Sequence, residues 1–370
     1  MALSLYKMGP KAYRWLSKIF VLPSPVTLSR MISRASLQPG INENIFEQLK
    51  RKVEKMKHDH RLCTFIFDEM ALAPHFDYNP KKDRVSGFVN HTGESSRKKA
   101  NHVLVFMIRG VIKNYKQPIY YSFCSGRTPK ETFVVQIKEI IKKLHSIGFI
   151  VLATVCDQGT SNTSAINYLI EEARRNYVRR NINFNNHSVF EIEGKQIIPL
   201  YNVPHLLKGM RNNLLTKNLR YCIDGVNKLA KWEDILQLYQ NNPTYKGLKI
   251  IKNLTENHCN KDKMPKMKVK YAAQLFSQTV GKTMGYLAEN GILPGETMDT
   301  ADFIIFVDNL FDSLNGSMKN SGVRSGKDLL RNVTPNSKHK EIWLQAKVIL
   351  KSMTFITTKR SAGTVPSIIG

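Results

Sequence analysis

The chain has 370 residues, 42% of them hydrophobic, which is enough for a sizeable core and for two globular units. Its 56 lysine and arginine residues against 29 acidic ones give a formal net charge of +27. This excess favours a polyanionic partner, because each cation that neutralises a phosphate releases condensed counterions. The longest apolar runs are far shorter than the ~20 residues that span a bilayer, so no membrane protein is predicted.

The first 40 residues read as short helices broken by Pro23 and Pro25, an arrangement that leaves a helix-turn-helix open. A strong amphipathic helix is predicted at 44–57, where apolar residues recur at helical spacing. His58 and His60 flank Asp59 in a charged stretch, which is more typical of a solvated surface than of a metal site.

The next segment alternates short apolar runs with helical patterns. Strands are predicted at 62–67, 103–108, 119–124, 149–155 and 196–201, and a hairpin at 78–88. Helices are predicted at 129–145, with Thr128 as the N-cap and Pro129 as the first helical residue, and at 162–175. Three early strands, then a helix, a buried strand and another helix follow the RNase H-like order. The predicted fold class is therefore α/β, an RNase H-like mixed sheet of the retroviral integrase superfamily.

After Pro204 the pattern becomes helical, with helices predicted at 206–215, 232–240, 268–287, 300–314 and 340–351. An all-α block after such a sheet would be an insertion, and a polar stretch with Gly and Ser at 316–326 would close it. The predicted domains are 1–40 (helical), 41–204 (N-terminal part of the RNase H-like domain), 205–315 (insertion) and 316–370 (linker and start of the C-terminal part).

Two carboxylates stand where apolar strands are predicted to end, Asp68 and Asp157. If the two strands are neighbours, both carboxylates emerge at one edge of the sheet and would bind a hard cation, Mg²⁺ or Mn²⁺. Two such ions could activate a water or a 3′-hydroxyl for phosphodiester chemistry. From the residues alone, ordinary strand-end or N-cap aspartates remain the favoured alternative.

Residues 13–370 resemble the P-element and THAP-domain transposase family. The matching blocks stand in order: Leu-Pro-Ser at 22–24, Pro-Gly at 39–40 with Asn-Glu at 42–43, Phe-Asp-Glu-Met-Ala-Leu at 67–72, the run at 100–109, Val-Cys-Asp-Gln-Gly at 155–159, Pro-His-Leu-Leu-Lys at 204–208 with Arg-Asn-Asn-Leu at 211–214, Lys-Met-Lys-Val-Lys at 266–270, and Thr-Ala-Asp at 300–302 through 310–315. The resemblance implies an RNase H-like fold interrupted by a GTP-binding insertion, and a metal-dependent acidic triad that includes Asp68 and Asp157.

The chain also departs from this family. The third acid of the triad is expected in an Asp-x-x-Glu-Asn-Phe-Phe context, and nothing similar follows Asn315; Glu341 stands in different surroundings. The five cysteines (Cys63, Cys124, Cys156, Cys222 and Cys259) form no CxxC pair, so no zinc-binding THAP domain, zinc ribbon or disulfide framework is predicted. We therefore expect a transposase or a truncated, domesticated derivative that is inactive as this chain; the alternative is a non-enzymatic remnant that binds DNA, guanine nucleotide or protein.

The nucleotide site is less well defined, since the chain has no GxxxxGK[ST] loop. Asn227 and Lys228 resemble the start of a guanine-reading Asn-Lys-x-Asp motif, but Ala230 stands at the Asp position. His205 and Lys208 could contact phosphate, and a solvated lysine at a helix start explains them equally well. The expected cofactors are Mg²⁺ or Mn²⁺ and GTP.

The predicted partners are DNA and a guanine nucleotide, with a homo-oligomer left open and a nuclear location implied. Basic clusters that include Lys98, Lys99, Arg174 and Arg175 could line a DNA path, although each cluster alone is more typical of a solvated face. An unrelated RNA-binding protein would require the ordered family blocks to be coincidence.

Overall fold

The computed structural model describes residues 2–34, 38–79, 83–90, 95–182, 188–242, 244–245, 248–316 and 327–357. The chain divides into two units, residues 1–200 (unit 1) and 201–370 (unit 2). In the described ranges, no helix has both the length and the apolar character that crossing a membrane requires. The predicted domain limits at 40, 204 and 315 stay predictions, and residues 317–326 of the predicted linker lie outside the described ranges.

Unit 1 contains six α-helices and eleven strands within the described ranges. The helices are α1 (Ala2–Met8), α2 (Pro10–Leu16), α3 (Pro25–Arg34), α4 (Glu43–Glu54), α5 (Lys130–Ser146) and α6 (Thr160–Arg179). The strands are β1 (Gly40–Ile41), β2 (Leu62–Ala71), β3 (Asp77–Asn79), β4 (Arg84–Ser86), β5 (Phe88–Asn90), β6 (Ser95–Lys99), β7 (His102–Gly110), β8 (Lys116–Cys124), β9 (Ile150–Cys156), β10 (Phe190–Ile192) and β11 (Lys195–Tyr201).

Nine of these strands form one mixed sheet in the order β10-β11-β9-β2-β7-β8-β5-β6, with β1 paired to β8. Strands β2, β7 and β8 pair antiparallel, whereas β9 runs parallel to β2. Helix α5 connects β8 to β9, and this connection crosses the sheet because β7 and β2 lie between the two strands. This mixed sheet confirms the predicted RNase H-like fold class.

An aromatic cluster joins the sheet to α5. Phe65, Phe67 and Phe106 are buried on one face of β2 and β7, with ring centroids 5.3 to 5.9 Å apart, and Phe133 of α5 packs edge-on against Phe67 at 5.1 Å. The alternation of buried and less buried residues along β2 is that of a strand with one face in the core. The opposite face of β2 carries Thr64, Ile66 and Asp68.

The boundary of β2 differs from the prediction. The sequence places a strand end at Asp68, but β2 continues to Ala71, which pairs with His102 of β7. The polar pair Asp68-Glu69 looked like a break, yet ladder pairing with β7 carries the strand past it. The hairpin predicted at 78–88 appears as β3 paired with β4, and residues 80–82 of its turn lie outside the described ranges.

Unit 2 contains seven α-helices and five strands within the described ranges. The helices are α7 (Val203–Leu214), α8 (Trp232–Gln240), α9 (Glu256–Cys259), α10 (Val269–Leu275), α11 (Gln278–Glu289), α12 (Thr297–Leu314) and α13 (His339–Ser352). The strands are β12 (Lys217–Ile223), β13 (Val226–Ala230), β14 (Thr244–Tyr245), β15 (Leu248–Lys249) and β16 (Thr354–Thr357).

The all-α expectation for 205–315 is wrong in part, because β12 and β13 form a hairpin that β16 extends to three strands. Asp224 and Gly225 make its turn with φ of 50° and 80°, as the type I′ turn of a two-residue hairpin requires. Leu219 and Tyr221 point into the core and alternate with Arg220, a strand pattern that the helical interpretation overlooked.

A second correction concerns the helix predicted at 268–287, which is two helices. Helix α10 ends at Leu275, and Ser277 begins α11 as its N-cap, accepting a hydrogen bond from the Val280 backbone N–H at 3.4 Å. Serine competes for backbone hydrogen bonds and so favours helix starts over helix interiors.

Candidate metal and DNA site

The register of β2 and β9 brings Asp68 and Asp157 to neighbouring positions. Ile66 is paired with Val155, and each aspartate lies two residues further along its strand direction. Side chains two residues apart point to the same face, and paired strands lie about 4.8 Å apart. The predicted condition that the two strands be neighbours is therefore confirmed, and the two carboxylates share one end and one face of the sheet.

Asp157 is held by the loop that follows β9. Its Oδ1 accepts a hydrogen bond from the Gly159 backbone N–H at 2.9 Å and another from the Asn162 side-chain amide. A Cβ on Gly159 would come within 3.0 Å of this same oxygen, so the close approach of the loop favours glycine there. These bonds fix the carboxylate at the start of α6.

The pKa of the Cys156 thiol depends on both carboxylates. Burial raises the pKa of Cys156 to about 12, and the negative charges of Asp157 and Asp68 add to the increase. Asp68 is exposed, and its Oδ1 accepts a hydrogen bond from the Glu69 backbone N–H at 2.9 Å. The Cys156 side chain is buried, whereas Asp68 is exposed at the end of the sheet.

The donor set fits a hard divalent cation. Mg²⁺ typically binds through one or two carboxylates and completes its octahedron with water and substrate phosphate oxygens. Asp68 and Asp157 supply two such carboxylates at one sheet end. Among the described residues, no group of three or more His, Cys, Asp or Glu side chains could hold a metal ion.

Glu69 and Arg127 lie near this site and carried no functional prediction. Glu69 Oε1 accepts hydrogen bonds from Thr128, at 3.1 Å from the backbone N–H and at 2.8 Å from the hydroxyl. Thr128 was predicted as the N-cap of α5, but that helix begins one residue later, with Pro129 at the cap. Arg127 donates a hydrogen bond to Thr160 Oγ1 at the start of α6. These contacts join residues 33 and 59 positions apart, and no local sequence pattern signals them.

The predicted DNA-contacting residues fall in two places. Lys98 and Lys99 end β6, just before His102, which lies at the Asp68 end of the sheet; Lys99 Nζ lies 5.0 Å from the Phe76 ring centroid. Arg174 and Arg175 lie about four helical turns beyond the start of α6, or roughly 20 Å along its axis. Their function as DNA contacts stays a prediction.

The predicted nucleotide-contacting residues lie on separate elements of unit 2. His205 and Lys208 are on α7, with Lys208 largely buried, and Asn227 and Lys228 are on β13. The Lys228 ammonium is ion-paired with Asp302, and lies 3.8 Å from an oxygen of Asp299, so carboxylates of α12 hold it.

Buried polar side-chain atoms lie at the N-cap of α7 and in its last turn. Within the described residues, Asn202 Oδ1 and Arg211 Nη1 are buried without a hydrogen-bond partner. Burial lowers the pKa of Arg211, and its other nitrogens bond to Asn212 Oδ1 and the Lys266 carbonyl. A separate cavity of about 860 Å³ lies between α12 and α13, lined by residues such as Asp308 and Lys327, but by none of the four predicted residues.

The strand order and pairing of the mixed sheet define an RNase H-like fold. Comparison with family models agrees: residues 37–170 match the TNP-like RNase H N-terminal domain, and residues 204–325 match the TNP-like GTP-binding insertion domain. The chain belongs to the P-element-type transposase family.

Individual relatives support this assignment. Over 86% of its own length, this chain is 29% identical to the Transposable element P transposase of Drosophila melanogaster. Over 95% of its own length, it is 25% identical to the human (Homo sapiens) DNA transposase THAP9. It spans 38% of each of these relatives. A solved structure, the Drosophila P element transposase strand transfer complex, superposes with a TM-score of 0.70 at 25% identity, covering 97% of this chain and 74% of that one.

Proposed function

We propose that this chain carries part of the active site of a transposase that cleaves and joins DNA by metal-dependent phosphoryl transfer. The observation that carries the proposal is the placement of Asp68 in β2 and of Asp157 directly after β9, its parallel neighbour, at one end and on one face of the sheet. The net charge of +27 and the relatives' transposase names support a DNA substrate. A nuclear location follows from that substrate.

Each residue of the site has a distinct role in this proposal. Asp68 and Asp157 would hold Mg²⁺ or Mn²⁺, and the bound ion would activate the attacking oxygen and stabilise the leaving one. The Gly159 N–H and the Asn162 amide donate to Asp157 and aim its carboxylate, as outer hydrogen bonds do for metal ligands.

We further propose that unit 2 binds a guanine nucleotide. The match of residues 204–325 to a GTP-binding insertion domain supports this proposal. The unpartnered buried atoms Asn202 Oδ1 and Arg211 Nη1 favour α7, with His205 and Lys208, as part of that site. Lys228, paired with Asp302 and Asp299, would have to exchange carboxylate partners for phosphate before it could contact the nucleotide.

The test is nicking and strand transfer on labelled duplex DNA in Mg²⁺ and in Mn²⁺, with Mn²⁺ binding measured in parallel by electron paramagnetic resonance. The Asp68→Asn, Asp157→Asn double variant should lose Mn²⁺ binding and any activity. The Asp59→Asn, Asp262→Asn variant removes the same charge from two exposed positions and should change neither.

Mn²⁺ binding or activity that survives in the Asp68→Asn, Asp157→Asn variant would overturn the proposal. If neither the parent chain nor the Asp68→Asn, Asp157→Asn variant shows activity or binds Mn²⁺, and both keep salt-sensitive DNA binding, the non-enzymatic alternative is favoured.

A further inference from the structure

The loop between β8 and α5, residues 125–129, lies at the same end of the sheet as the carboxylate pair. Strand β8 ends at Cys124, which pairs with His102 of β7, and His102 pairs in turn with Ala71 of β2. Asp68 lies three residues before Ala71 on that strand. The loop therefore emerges two strands away from Asp68.

Hydrogen bonds fasten this loop to the strands beside it. The Gly126 N–H donates to Asn101 Oδ1 at 2.6 Å, and Gly126 has a φ of 74°, which favours glycine. Thr128 donates twice to Glu69, the residue after Asp68. Residue 127 thus lies between two residues whose backbone N–H groups are hydrogen-bonded, which fixes the position from which its side chain extends.

Arg127 extends from this loop to the loop of the other carboxylate. Its Nη1 donates to the hydroxyl of Thr160, three residues after Asp157 and the first residue of the 20-residue helix α6. The side chain is exposed. Among the residues that the structure describes, no carboxylate forms an ion pair with Arg127, whereas Lys138 and Lys143 of the same unit are paired with Glu172 and Glu43.

An arginine that no described carboxylate pairs with, and that reaches the helix start just after Asp157, suits a phosphate that must approach the two carboxylates. The carboxylates repel a phosphodiester, and a guanidinium offers several N–H donors in a planar fork that matches phosphate oxygens. We propose that Arg127 is a positioning residue that binds a DNA phosphate next to the Asp68–Asp157 pair. This inference rests on the proposed function for the identity of the substrate.

The first test is equilibrium binding of a fluorescein-labelled duplex in EDTA, followed by anisotropy as a function of salt. Arg127→Ala should weaken binding at low salt and reduce the slope of log K against log salt by about one unit. With that slope, the Kd ratio between variant and parent should shrink about threefold between about 50 and 200 mM salt.

The matched control is Arg109→Ala. Arg109 is exposed near the far end of β7, where it pairs with Thr64 and Lys116, and its loss removes the same charge. It should leave the slope unchanged. Equal effects of the two substitutions would mean that only net charge matters, and would overturn the proposal.

Two further variants separate phosphate binding from a structural tether. Arg127→Lys keeps the charge and should keep the slope while losing part of the affinity. Thr160→Val removes the tether but not the charge, so it should also keep the slope. If Arg127→Ala and Thr160→Val instead lower the melting temperature alike and leave DNA binding unchanged, Arg127 is a structural residue and the proposal fails.

A double-mutant cycle tests whether the phosphate lies beside the carboxylates. With Asp68→Asn and Asp157→Asn in place, the repulsion is gone, and the loss caused by Arg127→Ala should become smaller. The loss caused by Arg109→Ala should be the same in both backgrounds. Additive effects for Arg127 would overturn its placement. Because these assays contain no metal ion, they can fail or succeed independently of Mn²⁺ binding and catalysis.

Discussion

The two units assemble their charged groups in different ways. In unit 1, Asp68 and Asp157 come together because each follows the apolar run of a strand and the two strands pair in register, with Asp68 inside β2 and Asp157 directly after β9. In unit 2, the main ion pairs join elements of different type: Lys228 of β13 with Asp302 of α12, and Lys327 with Asp308 and Asp312 of α12. A carboxylate placed by strand register can be anticipated from a sequence pattern, whereas an ion pair between packed elements cannot.

A large cavity in the core of one unit should destabilise that unit and leave the stability of the other unchanged. Phe106, fully buried among Phe65, Phe67, Tyr120 and Phe133, is the centre of the aromatic cluster of unit 1. Phe106→Ala should lower the free energy of unfolding of unit 1 by about 3–5 kcal/mol, since the cavity can collapse only in part. Hydrogen exchange read by mass spectrometry should show the loss of protection in peptides of unit 1.

The control is Val111→Ala, at a half-exposed position, which should cost less than about 0.5 kcal/mol. Equal loss of protection in peptides of unit 2 after Phe106→Ala would contradict separate responses and indicate one cooperative structure.

A smaller loss in the free energy of unfolding is expected when the ion-pair cluster of unit 2 is broken. Lys327→Met leaves the buried Asp308 and Asp312 without their shared cation, whose bond to Asp312 is 2.7 Å long. Because Lys327 is about one-third exposed, we expect a cost of about 1–2 kcal/mol at neutral pH, below that of a fully buried pair. Urea denaturation of the variant and the parent measures it.

The pH dependence of this loss has a definite sign. Burial and the neighbouring Asp312 already raise the pKa of Asp308, and loss of the lysine raises it further. Protonation then relieves the repulsion in the folded state, so the deficit should shrink as the pH falls toward that raised pKa. Lys263→Met, at an exposed pair with Glu256, should show no such recovery. A deficit independent of pH would show that packing of the lysine stem is lost instead.

Helix capping should give a smaller effect. Ser277→Ala removes the side-chain acceptor at the start of α11, and since the bond is long at 3.4 Å the expected cost is about 0.5–1 kcal/mol. Ser277→Asp should retain most of the stability because aspartate also caps. Thermal unfolding of the three proteins checks this, and an equal loss for both variants would mean that the hydroxyl acts through its bond to the Gln274 carbonyl.

The smallest effect should appear only in mild acid. Burial, and then the charge of Lys195, lowers the pKa of His145, while Glu193, 3.4 Å away, partly opposes the change. The unfolded chain binds the proton near its ordinary pKa of about 6.5, so the stability of unit 1 should fall as the pH drops below that value. Denaturant unfolding at a series of pH values should show a weaker decline in His145→Gln, and the usual decline in the exposed-site control His58→Gln. An unchanged decline in His145→Gln would place the titrating group elsewhere.

Several features of this protein follow from local sequence alone. Apolar runs bounded by polar residues located β7, β8 and β9, and helical periodicity located α5, α6, α8 and α12 to within a few residues. The RNase H-like order of elements, and the position of Asp68 and Asp157 after apolar runs, could be predicted because both depend on the order of residues along the chain. The β12–β13 hairpin had its signal in Asp224-Gly225, but the surrounding helical pattern obscured it.

Other features depend on tertiary structure. The contacts of Arg127 with Thr160 and of Glu69 with Thr128, the burial of Arg211, and the pairing of Lys327 with two carboxylates join positions far apart or between elements. A residue type states which hydrogen bonds a side chain can make, and only the packing of the chain decides which partner comes within reach. The carboxylate pair was therefore determined by strand pattern and register, while the groups that surround it were decided by how loops and helices meet at the end of the sheet.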